Sequence, residues 1–582
     1  MPRRPSLSKS EQEKIVKAFE QGLNEDLSDR MEWVEKRVKS FEDWLSTHDG
    51  YTDEPWEGAS DITPPLIAKA VRSMHARILG SIFNADPLVH VIPTDTKNPD
   101  AWESARIREK FLNWEYRNEI EDFFLALSTG LMETLYQGNS FLNVWYDRRE
   151  ESFAEWKILD RFMQDGETER IDQEVLDEIF GAVIEKSRAL GDHTYEIDHQ
   201  EDGWNRTSRV TIDWEDPEVP DDRISVTVEK KDSVAKIRLK NVSVVDIVAP
   251  ANSTGTQPGQ AYRLAHIYWE HPAEIRRLYE QKIWHNLTEE DVARLEKWSG
   301  GHAPVGQEVT EVKEALDEYQ GIDFVNGLSG IKESKVLIVR YYHPWDTNGD
   351  SIEEEHVFEW IPALKKLATW DWLSVRYGHR RRPIIPMAFM PLTDRLYSPG
   401  LGDLLEPLQD EAATIFNQMN NRENLTNNPT MLVEQNAGIS PNLFQNLPPG
   451  SAIPVRNVER VKALEWAKDP HSGIPVLNLL FGFAEQLSTG DISSGVQPLR
   501  PNAPRTARGT LALISEGNIL VDTHVLNAQF LTLHELFHQI DGLNRQYMPE
   551  ERILYVLGES EPVTLTREDL KERVRFYFSA NT

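Results

Sequence analysis

Cysteine is absent from all 582 residues. Disulfide frameworks, thiol catalysis and cysteine-ligated zinc or iron–sulfur centres are thereby excluded, and synthesis in a reducing compartment is favoured. No Gly-Lys pair occurs anywhere, so the phosphate-cradling GxxxxGK[ST] loop is missing and any ATP-driven step must use another protein's motor. The dinucleotide glycine fingerprint and the GxSxG nucleophile elbow are missing too. Long apolar runs are short in supply: the strongest, Pro475 to Ala484, is about half a membrane span and carries Asn478. An integral membrane protein is not expected. The opening MPRRPSLSKSEQEK has basic residues with no apolar core behind them, which does not read as a secretory signal. Positive charge is scarce, with 63 Lys and Arg against 96 Asp and Glu, a formal net of −33. Such a chain repels phosphate backbones on average, which argues against a tight duplex-binding regulator, although a merely solvated acidic surface has the same composition.

What is present divides into regions without an internal repeat; the length alone allows about four domains. Ile15, Phe19, Leu23, Leu27, Met31, Val34, Val38 and Phe41 recur at helical spacing, predicting one long amphipathic helix or a helix pair over residues 10–45. Helical patterns return from Pro64 through Ile67, Val71, Met74, Ile78 and Ile82, then over 99–118 and 120–136. Strands are expected at 88–93 and at 140–146, after the Gly138-Asn139 break. Residues 148–232 are densely and evenly charged; they read as an exposed elaboration with one helix near 172–187. Strands are expected at 224–228, 235–239 and 242–248. Asn348-Gly349 between 335–342 and 354–360 predicts a hairpin, and because Ser351 and Val357 occupy positions a calcium loop needs for Gly and a ligand, the hairpin reading prevails.

The last third is the most ordered in pattern. Leu401, Leu404, Leu405, Leu408, Ala412, Ile415 and Met419 form one stripe on a helix of about 25 residues that Asn427-Asn428-Pro429 ends. Short extended pieces at 430–434 and 452–455 flank a Pro448-Pro449-Gly450 turn. A second helix covers 474–487, a Gly/Pro-rich loop covers 488–509, and a proline-free helix from Thr510 to Arg545 would reach about 50 Å.

One catalytic motif occurs in that last helix. His534-Glu535-Leu536-Phe537-His538 is a literal HExxH, in which two histidines one turn apart can hold zinc while the glutamate acts as general base; Glu559 or Glu561 would be the third ligand. The alternative is a turn of an ordinary packing helix, with Leu533, Leu536, Ile540 and Leu543 as one stripe and Phe530 and Phe537 beside it. A zinc-dependent metallopeptidase is therefore the competing function, but with no second zincin signature downstream the packing reading is preferred.

The string YSPGLGDLLEPLQDEAATIFNQMNNRENLTNNPTMLV from Tyr397, the helix PVLNLLFGFAEQL, the loop TGDISSGVQPLRPNAPRTARGT and the long helix after it, taken in that order, resemble a tailed-bacteriophage portal protein. The string EPWEGASDITPPLIAKAVRSMHARILGSIFNADPLVHVIP resembles the opening of the wing in podophage-like portals. The resemblance covers roughly 54–146 and 335–582 but not the charged middle. It implies an α+β, predominantly helical portal fold assembled as a ring: a wing over 1–399 with the charged insertion at about 148–232, a first stem helix at 400–426 and a clip at 427–472. A second stem helix at 473–487, a tunnel loop at 488–509, a long wing helix at 510–545 and a short crown at 546–582 complete it.

The implied function is that of a non-enzymatic DNA channel at one capsid vertex, for genome packaging and ejection, built from about twelve copies. No cofactor or bound metal is implied. The implied partners are its own copies, the major capsid and scaffold proteins, the terminase large subunit, a tail adaptor and double-stranded DNA passing without sequence preference, with no membrane; assembly would occur in the host cytoplasm. Arg500, Arg505 and Arg508 are the DNA-channel candidates, since a tunnel loop protrudes into the bore. Asn427, Asn428, Glu434, Asn442 and Arg456 are the docking candidates of the clip.

Overall fold

The computed structural model describes residues 5–45, 59–160, 175–177, 179, 184–201, 204–213, 223–250, 253, 255, 257–297, 335–347, 350–427, 431–433, 461–463, 473–488, 521–548, 551–554 and 563–579. Helices and strands are mixed, and among the described residues no helix is long and apolar enough to cross a membrane. The chain divides into two units, one of residues 118–121 and 145–238 and one of everything else.

The larger unit is built around a five-stranded antiparallel sheet. Its order is β11 (Lys366–Trp372), β10 (Glu354–Ile361), β9 (Val336–Trp345), β8 (Leu264–Glu270) and β7 (Ile247–Val248). The predicted hairpin is β9–β10, with Trp360 opposite Val339; Asn348 and Gly349 themselves lie outside the described residues. Alternation along β9 sends Leu337, Val339 and Tyr341 to one face and Val336 and Ile338 to the other. The first face is covered by α1 (Lys9–Asp29), whose Ser8 and Glu11 close a capping box and whose Phe19 stacks on Tyr341 at 4.3 Å. The second face is covered by α6 (Pro272–Glu280) and α7 (Glu289–Glu296) around Trp284. Glu359 is buried on that side; burial alone would raise its pKa, but Arg376 and Arg340 more than offset this and hold it below the usual carboxylate range.

The N-terminal segment is a helix pair, α1 followed by α2 (Met31–Leu45), but the apolar series does not mark the buried face of α2. Arg37, Ser40 and Asp43 are buried there with Val34, whereas Met31 is exposed and Val38 and Phe41 are half-buried. The cause is a set of polar contacts: Arg37 donates to the carbonyl of Gln137 and pairs with Asp403. Helices α3 (Leu66–Phe83), α4 (Pro99–Asn118) and α5 (Phe123–Gln137) follow, and Ile67, Val71, Met74, Ile78 and Ile82 of α3 are all buried as its spacing predicted. Strand β1 (Val89–Pro93) pairs antiparallel with the last strand, β17 (Val574–Phe578).

Gly138 ends α5 at φ 94°, and a Cβ there would lie 2.0 Å from the Ser398 carbonyl, so the turn requires glycine. Asn139 beside it accepts from the Ser398 N–H. The first five residues of β2 (Asn139–Asp160) pair with β12 (Ile384–Ala388). This junction fixes where α8 (Leu401–Asn427) begins. The expected stripe on α8 is only part of its buried face: Leu401, Leu405 and Ala412 are buried, but so are Gln409, Asn417 and Asn421.

The smaller unit coincides with the charged stretch 148–232 and has strands and a core of its own where a single helix was expected. Strands β3 (Ile184–Gly191), β4 (Thr194–Glu201), β5 (Trp204–Asp213) and β6 (Arg223–Val242) pair antiparallel in chain order. Ile197, Val210, Ile212, Ile224, Val226 and Val228 close a separate core over Val175 and Leu176. The helix expected over 172–187 is helical at 175–177 but is already strand from Ile184. The two strands expected at 224–228 and 235–239 are one, β6, and the strand expected over 242–248 is a turn at Val244–Asp246 followed by β7.

Two consequences are measurable. Arg37→Met takes the guanidinium away from the carboxylate of Asp403, which keeps the Gly400 N–H, and an unfolding midpoint lower by the equivalent of about 2 kcal/mol is expected in urea titration. Glu133 on α5 is buried, accepts from Ser243, Asn241 and the Val244 N–H, and is pushed up to about 7 chiefly by burial. Its folded pKa exceeds its ordinary value of 4.5, so the folded state holds the proton longer. Stability from this group is present below pH 4.5 and is lost as pH rises through about 7. Glu133→Gln is expected to flatten that fall in thermal melts taken between pH 4.5 and 8.

Candidate functional site

Helix α8 is held along its length by charged side chains that pair with cations, and by amides that bond backbone, far earlier in the chain. Asp403 meets Arg37 and Glu406 meets Lys39. Gln409 accepts from the Ile67 N–H at 3.1 Å and donates to the Asp43 carbonyl at 2.9 Å. Asn417 accepts from the Ile62 N–H and donates to the Ile62 carbonyl, and Asn421 accepts from the Ser60 N–H at 2.7 Å. Near Asp410 and Glu406, Asp43 is pushed up to about 7, first by burial, although Lys39 opposes this.

Beyond α8 the chain forms β13 (Met431–Val433), returns through β14 (Val461–Ala463), and enters α9 (Ile474–Ser488). β13 and β14 pair antiparallel, Met431 opposite Ala463, so the intervening stretch leaves and re-enters through one two-stranded ladder. The extended piece expected at 430–434 corresponds to β13, β14 was not foreseen, and 452–455 lies outside the described residues. Helix α9 rests on α8 where Gly473 approaches Met419 and Ile415, and on α3 through Lys69–Glu485 at 3.1 Å.

The late helix is not one uninterrupted α-helix as expected. Residues 521–527 are helical, Ala528–Leu533 widen into a π-helical turn, and α10 (His534–Tyr547) continues to two residues past Arg545. The turn contains no glycine or proline; it sets the Thr532 hydroxyl on the Pro386 carbonyl of β12 at 2.9 Å. Upstream, His524 stacks on Phe389 at 4.2 Å, and burial lowers its pKa. Residues 510–520 lie outside the described residues.

The HExxH residues occupy the start of α10. Glu535 forms an ion pair with Arg381 and accepts from Gln539 Nε2 at 2.8 Å, so the carboxylate that would act as base is engaged in structural bonds. Leu533, Leu536, Phe537, Ile540 and Leu543 are buried, as the packing reading required, whereas Phe530, expected beside them, is 72% exposed. His538 is half-buried and its pKa is lowered, first by burial. Among the described residues no group of three or more metal-ligating side chains comes together, and Glu559 and Glu561 lie outside them. His379, from the loop before β12, lines the same cleft as His538 and was not foreseen; nothing in the local sequence GHRRRP marks it.

Of the other candidates, Asn427 is the exposed last residue of α8. Asn428, Glu434, Asn442, Arg456, Arg500, Arg505 and Arg508 lie outside the described residues. A family model described as Phage SU10 portal protein matches residues 28–582, nearly the whole chain. No curated protein matches it.

If Glu535 is a structural anchor, Glu535→Gln should lower the unfolding midpoint by the equivalent of about 1 kcal/mol, because Arg381 loses its charged acceptor. Purified full-length protein should carry no stoichiometric zinc by elemental analysis. One zinc per chain, together with unchanged stability in Glu535→Gln, would instead restore the peptidase reading.

Proposed function

The chain belongs to the Phage SU10 portal protein family, and on that premise we propose that about twelve copies close into a ring around a duplex-wide channel at one capsid vertex. The family is structural, and the role is that of the head–tail connector through which the genome is packaged and ejected. In this reading residues 1–399 are the wing, α8 and α9 are the stem, 427–472 are the clip, 488–509 the tunnel loop, 510–545 the long wing helix and 546–582 a short crown. The observation that carries it is the succession of α8, a two-stranded module, α9 and the late helix inside one family match that spans both ends of the chain.

One physical feature supports ring closure and a second suits the channel. The outward face of α9 carries Val476, Leu479, Phe483 and Leu487, each 44–56% exposed, on a helix whose other face already rests on α8 and α3. Four large apolar side chains at helical spacing with no charge among them are poorly suited to water; the neighbouring copy in a ring would cover them. The net charge of −33 suits a wall along which DNA slides, because few phosphates are neutralised.

Arg500, Arg505 and Arg508 are placed on the tunnel loop, where they approach the DNA backbone. Asn427, Asn428, Glu434, Asn442 and Arg456 are placed on the clip, which docks the terminase large subunit during packaging and the tail adaptor afterwards. The wing meets the major capsid and scaffold proteins, and rings assemble in the host cytoplasm before entering the virion.

Electron microscopy of the purified full-length protein should show rings with a central hole, and the double variant Leu479→Asp/Phe483→Asp should shift the population to monomers with an unchanged circular dichroism spectrum. A wild-type protein that stays monomeric under every assembly condition would overturn the ring. Arg500→Gln/Arg505→Gln/Arg508→Gln should leave rings intact and reduce packaged DNA severalfold in complemented infections.

A further inference from the structure

The seam between α2 and α8 contains a carboxylate that the rest of the fold leaves unsatisfied. Asp43 is fully buried, and neither of its oxygens has a hydrogen-bond partner among the described residues. It stands in the last turn of α2, a turn with no basic residue, so the negative end of the helix dipole also opposes an anion there. Its own backbone is part of the lock on α8. The Asp43 carbonyl accepts from Gln409 Nε2 at 2.9 Å, and Gln409 Oε1 in turn accepts from the Ile67 N–H of α3.

The groups that face Asp43 are mostly of its own sign. Lys39, one turn back, and Glu42 come from α2 itself, and Glu406 and Asp410 come from α8. Lys39 is paired with Glu406 and lies 3.6 Å from Asp410, so the one ammonium is already shared by two α8 carboxylates. The other cations nearby are committed elsewhere: Arg37 of α2 to Asp403, and Lys69 of α3 to Glu485. From α5, the uncharged Tyr136 stacks on the adjacent Trp44 at 4.7 Å, and on α1 Asp26 is paired with Arg263.

An ionised Asp43 would set three carboxylates against one ammonium in this seam, whereas a protonated one leaves two. A buried charge without donors must gain a proton or reach water. Reaching water requires the last turn of α2 to lift off α8, which breaks the bond between Gln409 and the Asp43 carbonyl. Consistent with this, Asp43 is pushed up to about 7, first by burial.

We propose that Asp43 is a proton-held latch. Protonated, it keeps the end of α2 seated on α8; on ionising, it releases that end and with it the Gln409 contact that helps to fix the register of α8. The latch belongs to the joint within one chain and does not rest on ring closure. Its sign is fixed by the direction of the shift. The folded value lies above the ordinary 3.8, so the stabilisation is whole below pH 3.8 and is lost as the pH rises through about 7.

Hydrogen exchange of the full-length protein tests this, read by mass spectrometry on peptides covering 37–45 and 401–412 and corrected for the intrinsic pH dependence of exchange. Between pH 6 and 8, protection at the end of α2 is expected to fall about fivefold in the parent and to stay at its pH 6 level in Asp43→Asn. Two further variants shift the transition in opposite directions whether or not Asp43→Asn folds. Asp410→Asn removes a like charge and should move the fall to lower pH, and Lys39→Met removes the opposing one and should move it to higher pH. Glu133→Gln, which removes the other carboxyl pushed up to about 7, should leave the fall in place. Constant protection in the parent, an Asp43→Asn variant that opens as the parent does, shifts of one sign in both charge variants, or loss of the fall in Glu133→Gln would each overturn the latch.

Discussion

The larger unit depends on the seating of one helix by polar bonds. The face of α8 that meets the body places Asp403, Gln409, Asn417 and Asn421 where an apolar seam would ordinarily run, and each bonds a backbone group or a guanidinium more than 340 residues earlier in sequence. Apolar packing alone tolerates sliding, because it rewards area and not position. An amide that both donates to and accepts from the backbone of one residue, as Asn417 does at Ile62, fixes register to a fraction of an ångström. Such a register is needed if the helix is to carry a small module at its far end and transmit load to the body. Gly138, Gly400 and Gly402 complete the joint by letting the α5 C-terminus and the start of α8 approach closer than any side chain permits.

Legibility in the sequence followed the source of each element's stability. Where apolar periodicity supplies it, the reading and the structure coincide: α4 runs over Pro99–Asn118 as predicted, α9 begins at Ile474, and the β9–β10 hairpin falls where Asn348-Gly349 placed it. Where polar contacts supply it, the reading went astray. Arg37, Ser40 and Asp43 face inward on α2 although every rule of composition assigns them outward; the partners of Arg37, at Gln137 and Asp403, and the Gln409 amide that bonds the Asp43 carbonyl are remote in sequence. In the charged middle, strand β4 reads Thr-Tyr-Glu-Ile-Asp-His-Gln-Glu, in which only Ile197 joins the core fully and Tyr195 partly. Two inward apolar residues in eight are too few to show period-two alternation, so strands with a core of their own passed for an exposed elaboration.

For the functional residues, the order of parts was legible and their contacts were not. The family-level reading rested on the succession of helix, short module, helix, loop and long helix, which survives because each boundary carries turn or helix-ending residues such as Asn427 and Pro429. His379 and the cleft it lines with His538 could not be foreseen. Nothing short of the tertiary structure brings a loop before β12 against α10, and the glycine that permits it, Gly542, looks in sequence like a mere weakness within a helix.

The π-helical turn has a geometric reason visible in the burial pattern. Val521, Val525, Gln529, Leu533, Phe537 and Asp541 are all buried and recur every four residues. A straight α-helix advances about 100° per residue, so a four-residue step overshoots a full turn by about 40°, and five such steps would carry the buried stripe about 200° around the helix. The wider i→i+5 turn at Ala528–Leu533 takes in an extra residue and returns part of that drift. Leu533 and Phe537 therefore still face the body, and His538, Asp541, Gly542 and Arg545 line the cleft. Phe530, within the widened turn, is 72% exposed. A pattern with one extra residue per turn is invisible to a search for 3.6-residue periodicity, which is why the segment reads as a plain helix containing a peptidase motif.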